Sequence, residues 1–215
     1  MLAPISRKYT RTLDENAVPV IEPYVLNESA TPTDLNTYLA YFDEWKKTWK
    51  GSSFCFEYHF WIHQVFDLSG QTLAKRIFED AEAYHARHIN GMVACGSERS
   101  FFPNGFAYYV FARKQFDISL SYEELLEDYY SLAYGEDWRA FADYLQRLGD
   151  AFGVDYLEGE ESEDRTVSSL YCPSRVKRLR EVPAILEEGK KLIEEHYDSD
   201  LRPRTVSVRL LESHA

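Results

Sequence analysis

The stretch Phe54-Cys55-Phe56-Glu57-Tyr58-His59-Phe60-Trp61 decides the fold prediction for this chain of 215 residues. It is rich in aromatic residues, which favour strands, and it is too short and too crowded with rings for a helix. Because side chains alternate across a strand, one face carries only rings, whereas the other carries Cys55, Glu57, His59 and Trp61. We therefore predict a strand with one apolar face and one face of functional character.

Helices and a second strand surround this stretch. Apolar residues three and four positions apart predict an amphipathic helix from about Thr33 to Trp49 and another over about 70–88. The short apolar run Ile89–Cys95, closed by Gly96, predicts a second buried strand. Since helix, strand, helix and strand follow one another in order, the sequence predicts parallel βα units.

The pattern changes after Gly96, where we predict helices and no further regular strands. Pro103 opens a helix to about Phe116, and Ser121 with Glu124 forms a capping box for the next helix. Later helices are predicted around Trp138–Leu148, Val182–His196 and Pro203–Ser213. We therefore divide the chain into a partial βα segment at 1–102 and a helical region at 103–215, with an acidic, solvated linker at about 153–170.

Composition and charge exclude several classes of protein. A formal net charge of -12 opposes binding to nucleic acid or to anionic membranes, and no window approaches the ~20 apolar residues of a membrane span. Cys55, Cys95 and Cys172 form no C-x-x-C pair, so neither a zinc knuckle nor a disulfide framework is indicated. The N-terminus lacks an apolar stretch long enough for a secretory signal. We expect a soluble protein without metal or cofactor, which is cytoplasmic if the chain is complete.

Polar residues at two strand ends form the candidate site. In a barrel, the ring face of the first strand would meet the outer helices, and Glu57, His59 and Trp61 would line a pocket near the mouth, where active sites lie. Glu98 and Arg99 follow the second strand and would lie over the same mouth. Two carboxylates at ~5–9.5 Å suit glycoside hydrolysis, which commonly needs a proton donor and an ionised partner. The alternative for Glu57 and His59 is a solvated face of the sheet, and the alternative for Glu98 and Arg99 is a simple ion pair. We therefore predict sugar contacts and assign no catalyst.

Several segments of the chain resemble one family. They are Leu2–Arg7, Phe56–Tyr58, Ile89–Val93, Ala107–Val110, Tyr122–Tyr130 and Ala133–Gly135. Together they resemble domain-of-unknown-function family 4838, a group of TIM-barrel proteins related to α-glucuronidases and β-hexosaminidases. The resemblance covers about residues 1–150 and implies a carbohydrate-active or carbohydrate-binding role, with Glu57 and Glu98 at strand ends that face sugar. Members of the family carry a whole barrel. The resemblance therefore implies that this α/β chain supplies only the C-terminal part of such a barrel, with two or three parallel strands.

Two functional hypotheses follow from these observations. The first is a glycoside-hydrolase-like barrel portion that contributes sugar contacts and is not catalytically complete alone, since half a pocket lacks positioning and water exclusion. The second is a non-catalytic interaction or scaffold protein, whose helices at Ser121–Asp150 and Val182–Ser213 form a partner surface. A partial barrel leaves a sheet face and a strand edge uncovered, so we also expect a homo-oligomer or a complex with a complementary barrel chain.

Overall fold

The computed structural model describes residues 16, 18–19, 21–23, 25–27, 34–60, 63–96, 105–154 and 173–213. Within these ranges the chain forms two strands and nine helices. In chain order they are α1 (Leu35–Thr48), β1 (Ser53–Glu57), α2 (His63–Phe66), α3 (Gln71–Ala86), β2 (Ile89–Ala94), α4 (Phe106–Phe116), α5 (Tyr122–Tyr134), α6 (Trp138–Phe152), α7 (Pro173–Leu179), α8 (Val182–Glu195) and α9 (Arg202–Glu212).

The two strands pair in parallel, and α3 connects them. In the register, Phe56 of β1 lies opposite Val93 of β2, and Glu57 lies opposite Ala94. The prediction of a mixed α/β chain with parallel strands is therefore confirmed. A TIM-barrel-like repeat of βα units is not seen, because the residues that the structure describes contain this single β-α-β unit and are otherwise helical.

The alternation of β1 is as predicted, but the surroundings of its two faces are reversed. Phe54 and Phe56 are 71% and 53% exposed, whereas Glu57 is 5% and His59 0% exposed. The prediction that helices would cover the ring face is therefore wrong at Phe54 and Phe56. Phe60, the last ring of the predicted face, is buried against Tyr108 and Phe111 of α4. The physical reason is that α3 carries hydrogen-bonding partners for the polar face, so burying that face leaves its carboxylate and imidazole satisfied.

One core is shared by α3, α4, α5, α6, α8 and α9. This core contains many fully buried large side chains, among them Phe60, Ile77, Phe106, Val110, Leu125, Tyr130, Phe141 and Leu145. Helix α6 packs closely against α8, where a Cβ at Gly189 would overlap the ring of Tyr144. Ser121 and Glu124 form the predicted capping box at the start of α5, and Gly135 ends that helix at a positive φ of 84°. The helical region therefore shares its core with α3 and Phe60 of the β-α-β unit.

A smaller cluster holds the sheet against α3. Its buried members are Ala81, Tyr84, Ile89 and Met92. Helix α1 adds little to it, since Leu39 is the only buried residue of that helix. The apolar stripe that predicts α1 is instead largely exposed at Tyr38, Trp45 and Trp49.

Parts of the domain prediction lie outside the described residues. The boundary at 102/103 falls in the gap between 96 and 105, and most of the acidic linker at about 153–170 falls between 154 and 173. These boundaries stay predictions. Among the residues that are described, no helix combines the length and the apolar character needed to cross a bilayer.

Candidate functional site

Glu57 ends β1 and lies beneath α3. The Tyr84 hydroxyl of this helix donates a hydrogen bond to Oε1 of Glu57. Burial raises the pKa of Glu57 above its ordinary value, although the hydrogen bond from Tyr84 opposes the rise by favouring the charged carboxylate. Burial and the neighbouring carboxylate also raise the pKa of Tyr84. The two side chains thus anchor the end of the strand to the helix.

Cys55 extends the same polar face and is not suited to nucleophilic chemistry. Burial, together with the nearby carboxylate of Glu57, raises the pKa of the Cys55 thiol to about 12. The thiol donates a hydrogen bond to the carbonyl oxygen of Gly91 on β2, with a sulfur-to-oxygen distance of 3.7 Å. Because the thiolate is the reactive form, the raised pKa disfavours attack by Cys55, and its hydrogen bond to Gly91 joins the two strands.

His59 makes the second anchor, just beyond the end of β1. Its Nε2 atom lies 2.8 Å from Oδ2 of Asp80 on α3, and the imidazole is fully buried. The backbone around Tyr58 is therefore held on both sides, by the contact of Glu57 with Tyr84 and by that of His59 with Asp80. Because side chains alternate along an extended chain, Tyr58 lies on the opposite face of the sheet.

The opposite face of the sheet is a patch of exposed rings, which we call the ring face. It consists of Phe54 and Phe56 from β1, Tyr58 directly after β1, and Val93 from β2. The rings of Phe56 and Tyr58 meet edge to face, with centroids 5.4 Å apart and an interplanar angle of 68°. The ring face therefore offers flat apolar surfaces beside a phenolic hydroxyl at the carboxyl end of a parallel strand.

The predicted site residues divide into two groups. Glu57 and His59 share a face as predicted, but both are engaged with α3 and covered by it. Trp61, Glu98 and Arg99 lie outside the described residues, so their placement at a barrel mouth stays a prediction.

Sequence reasoning missed the ring face as a functional surface. The alternation of β1 identifies its members, but it does not say which face the connecting helix covers. The polar residues Asp80 and Tyr84 on the buried side of α3 are the signal that could have shown it, since they require polar partners on the strand.

The described geometry defines a parallel β-α-β unit with one covered polar face and one exposed ring face, whose helix α3 shares a core with the helical region. In the described ranges, no three side chains of His, Cys, Asp or Glu come together in a way that could hold a metal ion. Comparisons with family models, with curated proteins and with solved structures find no match for this chain.

Proposed function

We propose that the chain is a portion of a carbohydrate-active, glycoside-hydrolase-like barrel that contributes sugar contacts. The observation that carries the proposal is the exposed ring face of β1 and β2. Parallel sheets are normally covered on both faces, and the interior of a βα barrel is the face turned away from the connecting helices. In such an assembly, the ring face would lie on the inner side. The resemblance of the quoted segments to a barrel family supports the same proposal.

The sugar contacts in this proposal come from Phe56 and Tyr58. Ligands of α/β folds bind at the carboxyl ends of parallel strands, and Tyr58 follows directly after the last residue of β1. Its ring offers an apolar face and its hydroxyl a hydrogen bond to a sugar. Glu57 and His59 act as positioning residues from the covered face. Trp61, Glu98 and Arg99 are proposed to add contacts from the same edge.

The chain alone is proposed to be catalytically incomplete. Glycoside hydrolysis commonly uses two carboxylates on either side of the scissile bond, and Glu57 is covered by α3. We expect negligible hydrolysis of aryl glycosides by the isolated chain. Turnover that disappears in both Glu57→Gln and Glu98→Gln would contradict this expectation.

A saccharide titration tests the proposed sugar contacts. A panel of neutral and acidic oligosaccharides is titrated into the full chain, and binding is followed by calorimetry and tryptophan fluorescence. We expect Tyr58→Ala to weaken binding at least about tenfold, which corresponds to about 1.4 kcal/mol. Phe116→Ala is the matched control, because Phe116 is exposed and lies at the end of α4. If no saccharide binds at millimolar concentration, the interaction or scaffold hypothesis replaces this one. If a saccharide binds but Tyr58→Ala binds it like the original chain, the proposed contacts of Tyr58 are wrong.

The ring face also supports the proposal of a homo-oligomer or a complex with a complementary barrel chain. Burial of apolar surface contributes roughly 25 cal/mol per Å², so covering several rings favours association, while the net charge of -12 opposes close approach of copies. We expect light scattering to show concentration-dependent association that Phe56→Ser reduces. A stable monomer up to high concentration, with no binding of a dye for apolar surfaces, would contradict the proposal.

A further inference from the structure

A groove lies at the end of the sheet away from Tyr58, where both strands begin. It has a volume of about 540 Å³ and lies between the C-terminal ends of α1 and α3. Its lining includes Trp49, Ser52, Arg87, His88 and Asn90. The site proposed around Tyr58 lies at the carboxyl ends of the strands, where ligands of parallel sheets usually bind. A site in this groove lies at the amino-terminal ends and would therefore be separate from it.

Trp49 provides a fixed ring at the rim of the groove. Its side chain is 47% exposed, yet its Nε1 atom donates a hydrogen bond to the carbonyl oxygen of Ser52 at 3.3 Å. The ring lies directly over Gly51, where a Cβ would come within 2.6 Å of it. Trp45 lies parallel to it, with centroids 6.0 Å apart and an interplanar angle of 9°. An exposed indole that is held in one orientation is a preorganised surface for stacking.

Polar side chains surround this ring within the groove. Asn90 donates a hydrogen bond from Nδ2 to Oγ of Ser52 at 3.2 Å, which places an amide beside the indole. His88 adopts a positive φ of 59° in the turn after α3, where a glycine would be less strained. The groove therefore combines an apolar platform with several hydrogen-bonding groups, as small-ligand sites do.

The groove carries a local excess of positive charge in an acidic chain. Lys46, Lys50 and Arg87 line it, and Asp43 is the acidic residue among its lining residues. Arg87 lies 3.9 Å from Asp43, and the ammonium group of Lys50 donates a hydrogen bond to the carbonyl oxygen of Lys46 at 3.1 Å. These contacts hold the cations around the groove. The resulting potential favours a ligand that carries negative charge.

We propose that this groove binds an acidic oligosaccharide. One sugar ring stacks on Trp49, the hydroxyl groups form hydrogen bonds with Asn90 and His88, and a carboxylate or sulfate group lies near Lys50 and Arg87. The choice of a saccharide rests on the proposed carbohydrate function, whereas the position and the charge preference rest on the groove itself.

Calorimetric titration of the full chain tests this site. The probes are a galacturonate tetramer, a chondroitin sulfate tetrasaccharide and the neutral cellotetraose, each at low ionic strength. We expect at least one acidic probe to bind at least about tenfold more tightly than the neutral one, and added salt to weaken it. Comparison of the two acidic probes shows whether carboxylate or sulfate is preferred. Equal affinity for the neutral probe, or no binding of any probe, would overturn the proposal.

Variants around Trp49 locate the binding. Trp49→Ala should weaken binding of the acidic probe at least about tenfold, and Trp49→Phe should restore much of it. Gly51→Ala keeps the indole but displaces it, so we expect a loss of severalfold or more. Phe116→Ala is the control for removal of an exposed ring elsewhere, and circular dichroism checks that each variant is folded. Unchanged binding by both Trp49→Ala and Gly51→Ala would overturn the proposal.

The result for Tyr58→Ala separates this inference from the proposed function. If Trp49→Ala abolishes binding and Tyr58→Ala does not, the groove is the binding site. If Tyr58→Ala abolishes binding and Trp49→Ala does not, the sugar binds at the strand end and the further inference is wrong, while the proposed function stands.

Discussion

The sheet region and the helical region use aromatic residues in opposite ways. In the helical region, aromatic rings fill the core. Tyr130 and Phe141 are fully buried, and the ring of Phe141 stacks on that of Tyr134 with centroids 4.4 Å apart. In the sheet region, Phe54 and Phe56 face solvent, and so does much of α1. The difference comes from layering, because helices surround the first core on several sides, whereas a helix covers only one face of the two strands. Among the described residues, exposed rings are therefore found mainly in the sheet region.

Truncation of a ring in each region gives the largest expected contrast. Phe141→Ala removes a fully buried ring and should lower the free energy of unfolding by about 3–5 kcal/mol. Phe54→Ala removes an exposed ring and should change it by less than about 0.5 kcal/mol. Urea denaturation measures both values. Similar losses for the two variants would mean that the ring face is covered and that the contrast between the regions is wrong.

The anchor on the covered face should have an intermediate effect. Asp80→Ala leaves the buried imidazole of His59 without its carboxylate partner and should cost about 1–3 kcal/mol. Glu79→Ala is the matched control, since this neighbouring carboxylate is exposed and its pair with Lys75 spans 3.8 Å. We expect the control to change stability by less than about 0.5 kcal/mol. Equal effects of the two substitutions in denaturation experiments would show that α3 does not cover the polar face.

The smallest expected effect is a change in the pH dependence of stability. Because burial raises the pKa of Glu57, the folded chain holds this proton more tightly than the unfolded chain, and stability is lost as the pH rises from the ordinary to the raised pKa. Glu57→Gln cannot titrate, so its free energy of unfolding should fall less than that of the original chain between pH 4 and 8. Glu79→Gln should keep the pH dependence of the original chain. If the free energy of unfolding of Glu57→Gln changes with pH as that of the original chain does, Glu57 is exposed to solvent.

Local sequence signals predicted most of the elements. The capping box at Ser121 and the alternation of β1 each depend on neighbouring residues, so they could be identified without the fold. Which face of β1 is covered is determined by Asp80 and Tyr84 of α3, which are distant from the strand in sequence. The alternation within the strand therefore could not predict it.

The groove beside Trp49 was missed for a related reason. Helical spacing assigned Trp45 and Trp49 to a packed stripe, yet packing requires a partner surface, and in the described residues α1 buries only Leu39. Gly51 is the local signal that was available, because a glycine two positions after a tryptophan permits close contact between the ring and the backbone.

The exposed ring face is the central claim, and hydroxyl-radical footprinting of the unmodified chain tests it most directly. The measurement reports the oxidation rate of each aromatic side chain in dilute solution, and the chain supplies its own internal standards. We predict fast oxidation of Phe54 and Phe56 and strong protection of Phe106 and Phe141, with Phe54 and Phe56 becoming protected as the concentration rises or when saccharide binds. If Phe54 and Phe56 are as protected as Phe141 in the dilute monomer, the ring face is covered within the chain and the account is contradicted.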